Sequence, residues 1–521
     1  MRFFNTITKS LFCFMLVMMT INADAQNRRY LDPVFSEVTV SAVTPVASNF
    51  TILNFIASQG QRGMQRQPLV AQFFSPKGDT RTDRPLVIYV HTGNFFPYPA
   101  NGSCGGTLRD SSNIEIATRL AKMGYVVAVV NYRQGWNPLD PNELIRRYFL
   151  INAAYRGVQD MKTYVRYFRR SVAEQGNPHG IDAEKITIWG QGTGGYLSLA
   201  AAYLNTYNEI LTTSDPKKFI LPTGNPALPE IPMVLEQYNG NVEATGPTTT
   251  VDALYSSLSR LKIGDTLCIP NHVGFSSLFK LAVNMGGALG DSTWINAGEV
   301  PLISYHVTTD PFAPCGTDVL NVPTATGAQP VLEVSGSCDV SDIVDRKGLN
   351  EIFKTIPAGR DPMNQFNKSN NLGFYEFRGT PDDGSGPWEW AAGNNGNAIC
   401  NTNARSSKIY IDTIMAYFAP RACVALGLNC DFASATNNLT DSKVNLTLAP
   451  NPASSEIRIT VANDTPIQSY QIMDISGRTI RATQSVNTSD LKVKRDDIQN
   501  GMYFIKLNFE KGSLTKKVIF E

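Results

Sequence analysis

Residues 186–196 read Ile-Thr-Ile-Trp-Gly-Gln-Gly-Thr-Gly-Gly-Tyr, a short apolar run that ends in a cluster of glycines. Ile186 to Trp189 has the composition of a parallel strand buried on both faces, and the run Tyr196-Leu-Ser-Leu-Ala-Ala-Ala-Tyr-Leu204 continues as a buried helix. A strand that becomes a helix across one corner residue needs a positive φ there. It also needs flanking residues without side chains, so that strand and helix can approach. Gly192 occupies the corner, with Gly190, Gly194 and Gly195 around it. Such a unit belongs in a parallel sheet with crossover helices, which sets the fold class as α/β.

The corner is that of a nucleophile elbow, Gly-x-Ser-x-Gly, with Gly192 where the serine would stand. Other segments extend the likeness in chain order. Arg84-Pro-Leu-Val-Ile-Tyr-Val-His-Thr-Gly-Asn-Phe-Phe96 resembles the strand and oxyanion loop of the carboxylesterase branch of the α/β-hydrolases, whose usual His-Gly-Gly-Gly-Phe is written here His91-Thr92-Gly93-Asn94-Phe95. Gly124 to Gly135 resembles the next parallel strand, Tyr155 to Phe168 is an amphipathic helix, and Gly180-Ile-Asp182 leads into the elbow strand. The resemblance implies an α/β-hydrolase fold: a mostly parallel central sheet, helices on both faces and a lid insertion, here about residues 205–300. Within that insertion Ser276 to Met285 reads as helical, and a closing helix is expected at about Ser407 to Phe418. Antiparallel strands are expected to open the fold within residues 30–74.

The same resemblance assigns the site. Val300 to Pro314 is similar to the strand and loop that deliver the triad acid, which places Asp310 in that role, and Tyr375 to Trp388 is similar to the final strand and loop, which places Ser385 at the histidine. The four histidines are His91, His179, His272 and His306, none of them after Asp310, whereas this fold orders its triad nucleophile, acid, histidine. Serine is too weak an acid to ionise alone, and the carboxylate serves only to orient the imidazole. Triad catalysis therefore lacks both its hydroxyl and its base. His91, Thr92, Gly93, Asn94, Gln191 and Thr193 remain as candidate ligand-binding residues around the elbow. His91 and His306 read as packed, hydrogen-bonded side chains, and Asp310 is open to two readings, a loop carboxylate capping backbone amides or a ligand contact.

The chain of 521 residues, 42% apolar and 17% charged, suffices for one large domain and a small one. Its formal charge of +1 gives no case for nucleic acid. Residues 1–25 combine Arg2 and Lys9 with the apolar stretch Leu11 to Ile21 and Ala23-Asp-Ala25, the pattern of a secretory signal peptide, and no later stretch is long enough for a transmembrane anchor. Seven cysteines follow it, Cys104, Cys268, Cys315, Cys338, Cys400, Cys423 and Cys430, without zinc spacing. They are expected to form disulfides with one left over, and neither metal nor cofactor is expected. Cys104, without a neighbouring histidine in sequence, reads as half of a bridge rather than a replacement nucleophile.

After a large domain at 26–430 and a polar linker at 431–443, residues 444–521 change character. Leu448-Ala-Pro-Asn-Pro-Ala453, Tyr470 to Arg478, Ile498 to Leu507 and Leu514 to Phe520 are alternating strands punctuated by Pro-Asn-Pro, Ser-Gly and Asn-Gly turns. Their order resembles the type A C-terminal sorting domain of the type IX secretion system of Bacteroidota, a small all-β sandwich. That resemblance implies the secretion machinery as partner and a cell-surface or extracellular destination. The expected function is that of an exported pseudo-esterase binding a small ester, acyl or glycan ligand. The alternative is an active carboxylesterase with displaced catalytic residues.

Overall fold

The computed structural model describes residues 28–521 except 53–62, 97–100, 102–104, 137–139, 141, 216, 223–229, 260, 325–326, 379–383, 391–399, 402–403, 433–443, 463–464, 475–478 and 510–511. The signal peptide, Cys104 and most of the linker thus lie outside the described residues. Two compact units divide the chain, Met1–Cys430 and Asp431–Glu521.

In the first unit the strands β1 (Val38–Val40), β2 (Thr44–Ile52), β3 (Met64–Pro76), β4 (Arg84–Val90), β5 (Val126–Val130), β6 (Ile181–Gln191), β7 (Leu281–Met285), β8 (Leu302–Val307), a hairpin β9 (Thr317–Thr324) and β10 (Gly327–Ser335), and β11 (Phe374–Phe377) alternate with helices. The principal helices are α1 (Ser111–Lys122), α2 (Glu143–Glu174), α3 (Thr193–Tyr203), α4 (Ser337–Arg346) and α5 (Ala404–Ala425). The central sheet runs β1-β3-β5-β4-β6-β7-β8-β11, with β2 also pairing β3. From β5 to β11 every pairing is parallel, and β1, β2 and β5 all pair β3 antiparallel.

Alternation along the strands splits the core between two faces. Leu86, Ile88, Ala128, Val130 and Ile188 point to one side and pack with Val158, Val165 and Leu197 of α2 and α3. Val87, Tyr89, Val127, Val129 and Trp189 point to the other and meet Ile116 and Leu120 of α1 and Ile414 and Phe418 of α5. Strands covered on both faces need continuous apolar runs, which is why Arg84–Val90, Val126–Val130 and Leu281–Met285 are buried throughout.

Two features depart from the sequence expectations. Leu281-Ala-Val-Asn-Met285 is not helical: it is β7, inserted between β6 and β8. A short apolar run has no period that separates a buried strand from a buried helix, and here the parallel neighbours decide. The hairpin β9–β10, stapled at its base by a disulfide between Cys315 and Cys338, was not anticipated. A second disulfide joins Cys423 to Cys430, and Cys268 is a buried free thiol.

The second unit is all-β. A three-stranded and a four-stranded antiparallel sheet enclose one core of Ile457, Ile459, Leu491, Ile472, Ile505 and Val518, among others. Among the described residues no helix is long and apolar enough to cross a membrane.

Candidate functional site

The elbow forms as its glycines require. Gly192 has φ 53° and ψ −116°, and its N–H donates to the Met285 carbonyl at 2.7 Å, tying the corner to the end of β7. A Cβ at Gly190 would lie 1.8 Å from the Gly194 carbonyl oxygen, so strand and helix touch backbone to backbone.

At the corner itself the vacancy is filled. A Cβ on Gly192 would fall 2.3 Å from Thr92 Oγ1 and 2.9 Å from Thr92 Cβ. The loop after β4 thus places a threonine in the volume that a nucleophile's side chain would need. The neighbouring hydroxyl is engaged as well: Thr193 Oγ1 accepts a hydrogen bond from the Asn94 N–H at 2.7 Å. In an elbow of this kind the oxyanion donors are the amide after the nucleophile and an amide of the facing loop. Asn94 N–H comes from that loop, and a side chain of the chain itself consumes it.

Asp310, Ser385 and Gly192 lie on the wall of one cavity of about 180 Å³, together with Thr92, Asn94 and Thr193. Asp310 Oδ1 accepts from the N–H groups of Phe312 and Ala313 at 2.8 and 3.1 Å. Burial raises its carboxyl to about 7, with those two amides pulling the other way. His91, Gly93 and Gln191 stand off the wall. His91 is buried, tilted against Tyr132 at 4.9 Å, and its Nδ1 bonds the Thr92 carbonyl. Burial lowers its basicity, partly offset by the charge of Asp110. His306 is likewise packed, its ring bridging the Ala313 carbonyl and the Ser337 hydroxyl. Gln191 sits beneath the corner, accepting from Tyr89 Oη at 2.6 Å and donating to Ser112 Oγ at 3.1 Å and to Glu389.

Glu389 was not singled out from sequence. It follows Ser385 within Gly386–Trp390, is 7% exposed, and lines the cavity. Burial raises its carboxyl to about 8, the charge of Asp110 adds to this, and the Gln191 hydrogen bond opposes it. The signal was present as a lone acid between Trp388 and Trp390, but only the fold turns it inward. Tyr196 and Trp388 were also missed. Both line the cavity, and the Tyr196 hydroxyl and the Trp388 indole N–H are buried without a hydrogen-bond partner among the described residues.

The rest of the cavity is apolar and drawn from four elements: Leu150 and Val158 of α2, Leu197 and Ala200 of α3, Ile210, Phe219 and Val234 of the insertion, and Leu320, Val322, Leu332 and Val334 of the β9–β10 hairpin. Two anchors fix this roof. Lys218 pairs with buried Asp291 at 2.7 Å beside Phe219, and the Cys315–Cys338 disulfide closes the hairpin base. Among the described residues no group of three or more His, Cys, Asp or Glu side chains is placed to hold a metal ion.

Residues 72–239 match the BD-FAE family model, and residues 447–521 match the secretion system C-terminal sorting domain. No curated protein matches the chain in sequence. Among solved structures, a propionate-bound thermophilic esterase of the Planctomycetes species Thermogutta terrifontis is 15% identical, with 67% of this chain and 89% of that chain covered and a TM-score of 0.30. A bifunctional GH43-CE protein of Bacteroides eggerthii is 14% identical, with 68% and 33% covered and a TM-score of 0.31. An esterase of the archaeon Pyrobaculum calidifontis is 20% identical over 36% of this chain and 42% of its own, with a TM-score of 0.20. At such scores the family matches carry the assignment. The chain therefore joins an esterase-like α/β-hydrolase unit containing a BD-FAE segment to a type IX secretion C-terminal sorting domain, which directs it to the cell surface or the extracellular space.

Proposed function

We propose that the first unit is a pseudo-esterase: its cavity binds a small ester or acyl ligand and does not cleave it through a triad. The observation that carries this reading is the fit of Thr92 into the space over Gly192, where an added Cβ would lie 2.3 Å from the threonine oxygen. Two further observations support it. Thr193 occupies an oxyanion donor, and Ser385 stands on the cavity wall where the base is expected. Asp310 then orients nothing and caps its own loop. The aliphatic walls favour an acyl or aromatic group over a glycan, whose hydroxyls would lose water without gaining partners. The sorting domain exports the unit, and an N-terminal signal peptide supplies the first membrane crossing.

A competing reading, hydrolysis by displaced groups, draws on Glu389 and Asp310, two cavity carboxyls held near neutrality and so suited to proton transfer. One experiment separates the two. Purified mature protein is assayed on short p-nitrophenyl esters and treated with a phosphonate probe. The pseudo-esterase reading expects no saturable turnover and no adduct, with thermal stabilisation by unreactive ester analogues. Turnover that co-purifies with the protein, or an adduct on any side chain, overturns it.

A further inference from the structure

In a working triad the acid faces an imidazole that becomes a cation, so its charge is compensated within the site. Here the position after the final strand is Ser385, and Asp310 Oδ2 has no partner among the described residues. Glu389 joins it on the wall, its described partner the neutral amide of Gln191. Among the described lining residues there is no lysine, arginine or histidine. Among its described lining residues the cavity thus has two carboxyls and no positive side chain, behind aliphatic walls.

We propose that Asp310 and Glu389 act together as a charge filter: the cavity admits uncharged apolar carbonyl compounds, intact esters or amides, and excludes the corresponding free carboxylates. This deepens the pseudo-esterase reading and rests on its claim that the cavity binds a ligand. The donors fit the same class. The Tyr196 hydroxyl and the Trp388 indole N–H are buried on residues of this wall without a partner among the described residues, and an ester carbonyl supplies an acceptor. A carboxylate would also supply acceptors. It would, however, bring a full negative charge into a desolvated space with no cation among the described lining residues, and once Asp310 and Glu389 are ionised it would meet like charges that repel there far more strongly than in water. Burial raises Asp310 to about 7 and Glu389 to about 8, so both are ionised only above about pH 8, and the repulsive part of the filter sets in over that range. An enzyme must release its carboxylate product. A cavity that rejects the free acid and cannot make it holds the intact ester as its final ligand.

The test uses mature full-length protein at pH 9, where both carboxyls are ionised, and three probes with one alkyl chain: methyl hexanoate, hexanoate and hexylamine. Binding is read by tryptophan fluorescence, since Trp294 and Trp388 line the cavity. The filter expects methyl hexanoate to bind at least about tenfold more tightly than hexanoate. It also expects Asp310→Asn combined with Glu389→Gln, both close in shape to the originals, to lower that ratio mainly by admitting hexanoate. Each single variant is measured beside the double, so the ratio is still read if the double variant misfolds. Equal binding of ester and carboxylate, or an unchanged ratio in the variants, overturns the filter and leaves the binding reading standing. Hexylamine as the tightest ligand also overturns it, because the carboxyls then act as a cation trap. Failure of all three probes to bind removes the binding reading and the filter with it.

Discussion

Restoring the serine alone is expected to damage the protein. In Gly192→Ser the new Cβ arrives 2.3 Å from Thr92 Oγ1 and 2.9 Å from Thr92 Cβ, both closer than non-bonded atoms tolerate. Overpacking of this kind costs about 1–3 kcal/mol. A side chain at φ 53° and ψ −116° adds backbone strain of about 1–3 kcal/mol. The expected loss is therefore about 2–6 kcal/mol. Thr92→Ala would not relieve it, because the threonine Cβ is itself too near; Thr92→Gly would. A double-mutant cycle between Gly192→Ser and Thr92→Gly should show a favourable coupling of about 1–3 kcal/mol. Urea denaturation followed by tryptophan fluorescence is well suited to this measurement, because all five tryptophans lie in the first unit and the second is silent. Gly192→Ser with wild-type stability, or strictly additive single changes, would refute the packing argument. The same geometry predicts that Gly192→Ser with Ser385→His gains no esterase activity until Thr92→Gly is added.

The buried Glu389 carboxyl makes stability depend on pH with a definite sign. Its folded value of about 8 lies above its ordinary 4.5, so the folded state keeps its proton longer and stability falls as pH rises between those values, by on the order of 5 kcal/mol; Glu389→Gln should flatten that slope in urea midpoints taken from pH 5 to about 9. Breaking the hairpin staple with Cys315→Ala and Cys338→Ala should cost about 3 kcal/mol of loop-closure stabilisation, since 23 residues separate the pair. Limited proteolysis should then cut first within residues 317–335, and a cleavage pattern identical to that of the parent protein would count against the hairpin as a stapled roof.

What sequence made legible was local. The elbow and the buried parallel strands follow from glycines at a corner and from unbroken apolar runs, each read within a dozen residues. The sorting domain was legible for the same reason, its turns being marked by Pro-Asn-Pro and Asn-Gly. Leu281–Met285 was misread because five apolar-rich residues carry no period, and its neighbours β6 and β8 are far away in sequence. The plug could not be read at all. Thr92 and Gly192 are 100 positions apart, and only the meeting of two loops shows that one fills the other's space. Glu389 was hidden in the same way, since its partners Gln191 and Asp110 belong to other elements.

The stapled hairpin bears on where this protein becomes competent. Four of its side chains, Leu320, Val322, Leu332 and Val334, complete the cavity wall, and the bond that holds its two ends together is one that a reducing cytoplasm does not sustain. The receptacle is accordingly finished only after the polypeptide has left the cell interior. On the proposed ligand-binding reading, the compounds open to the completed receptacle are those met outside the cytoplasm.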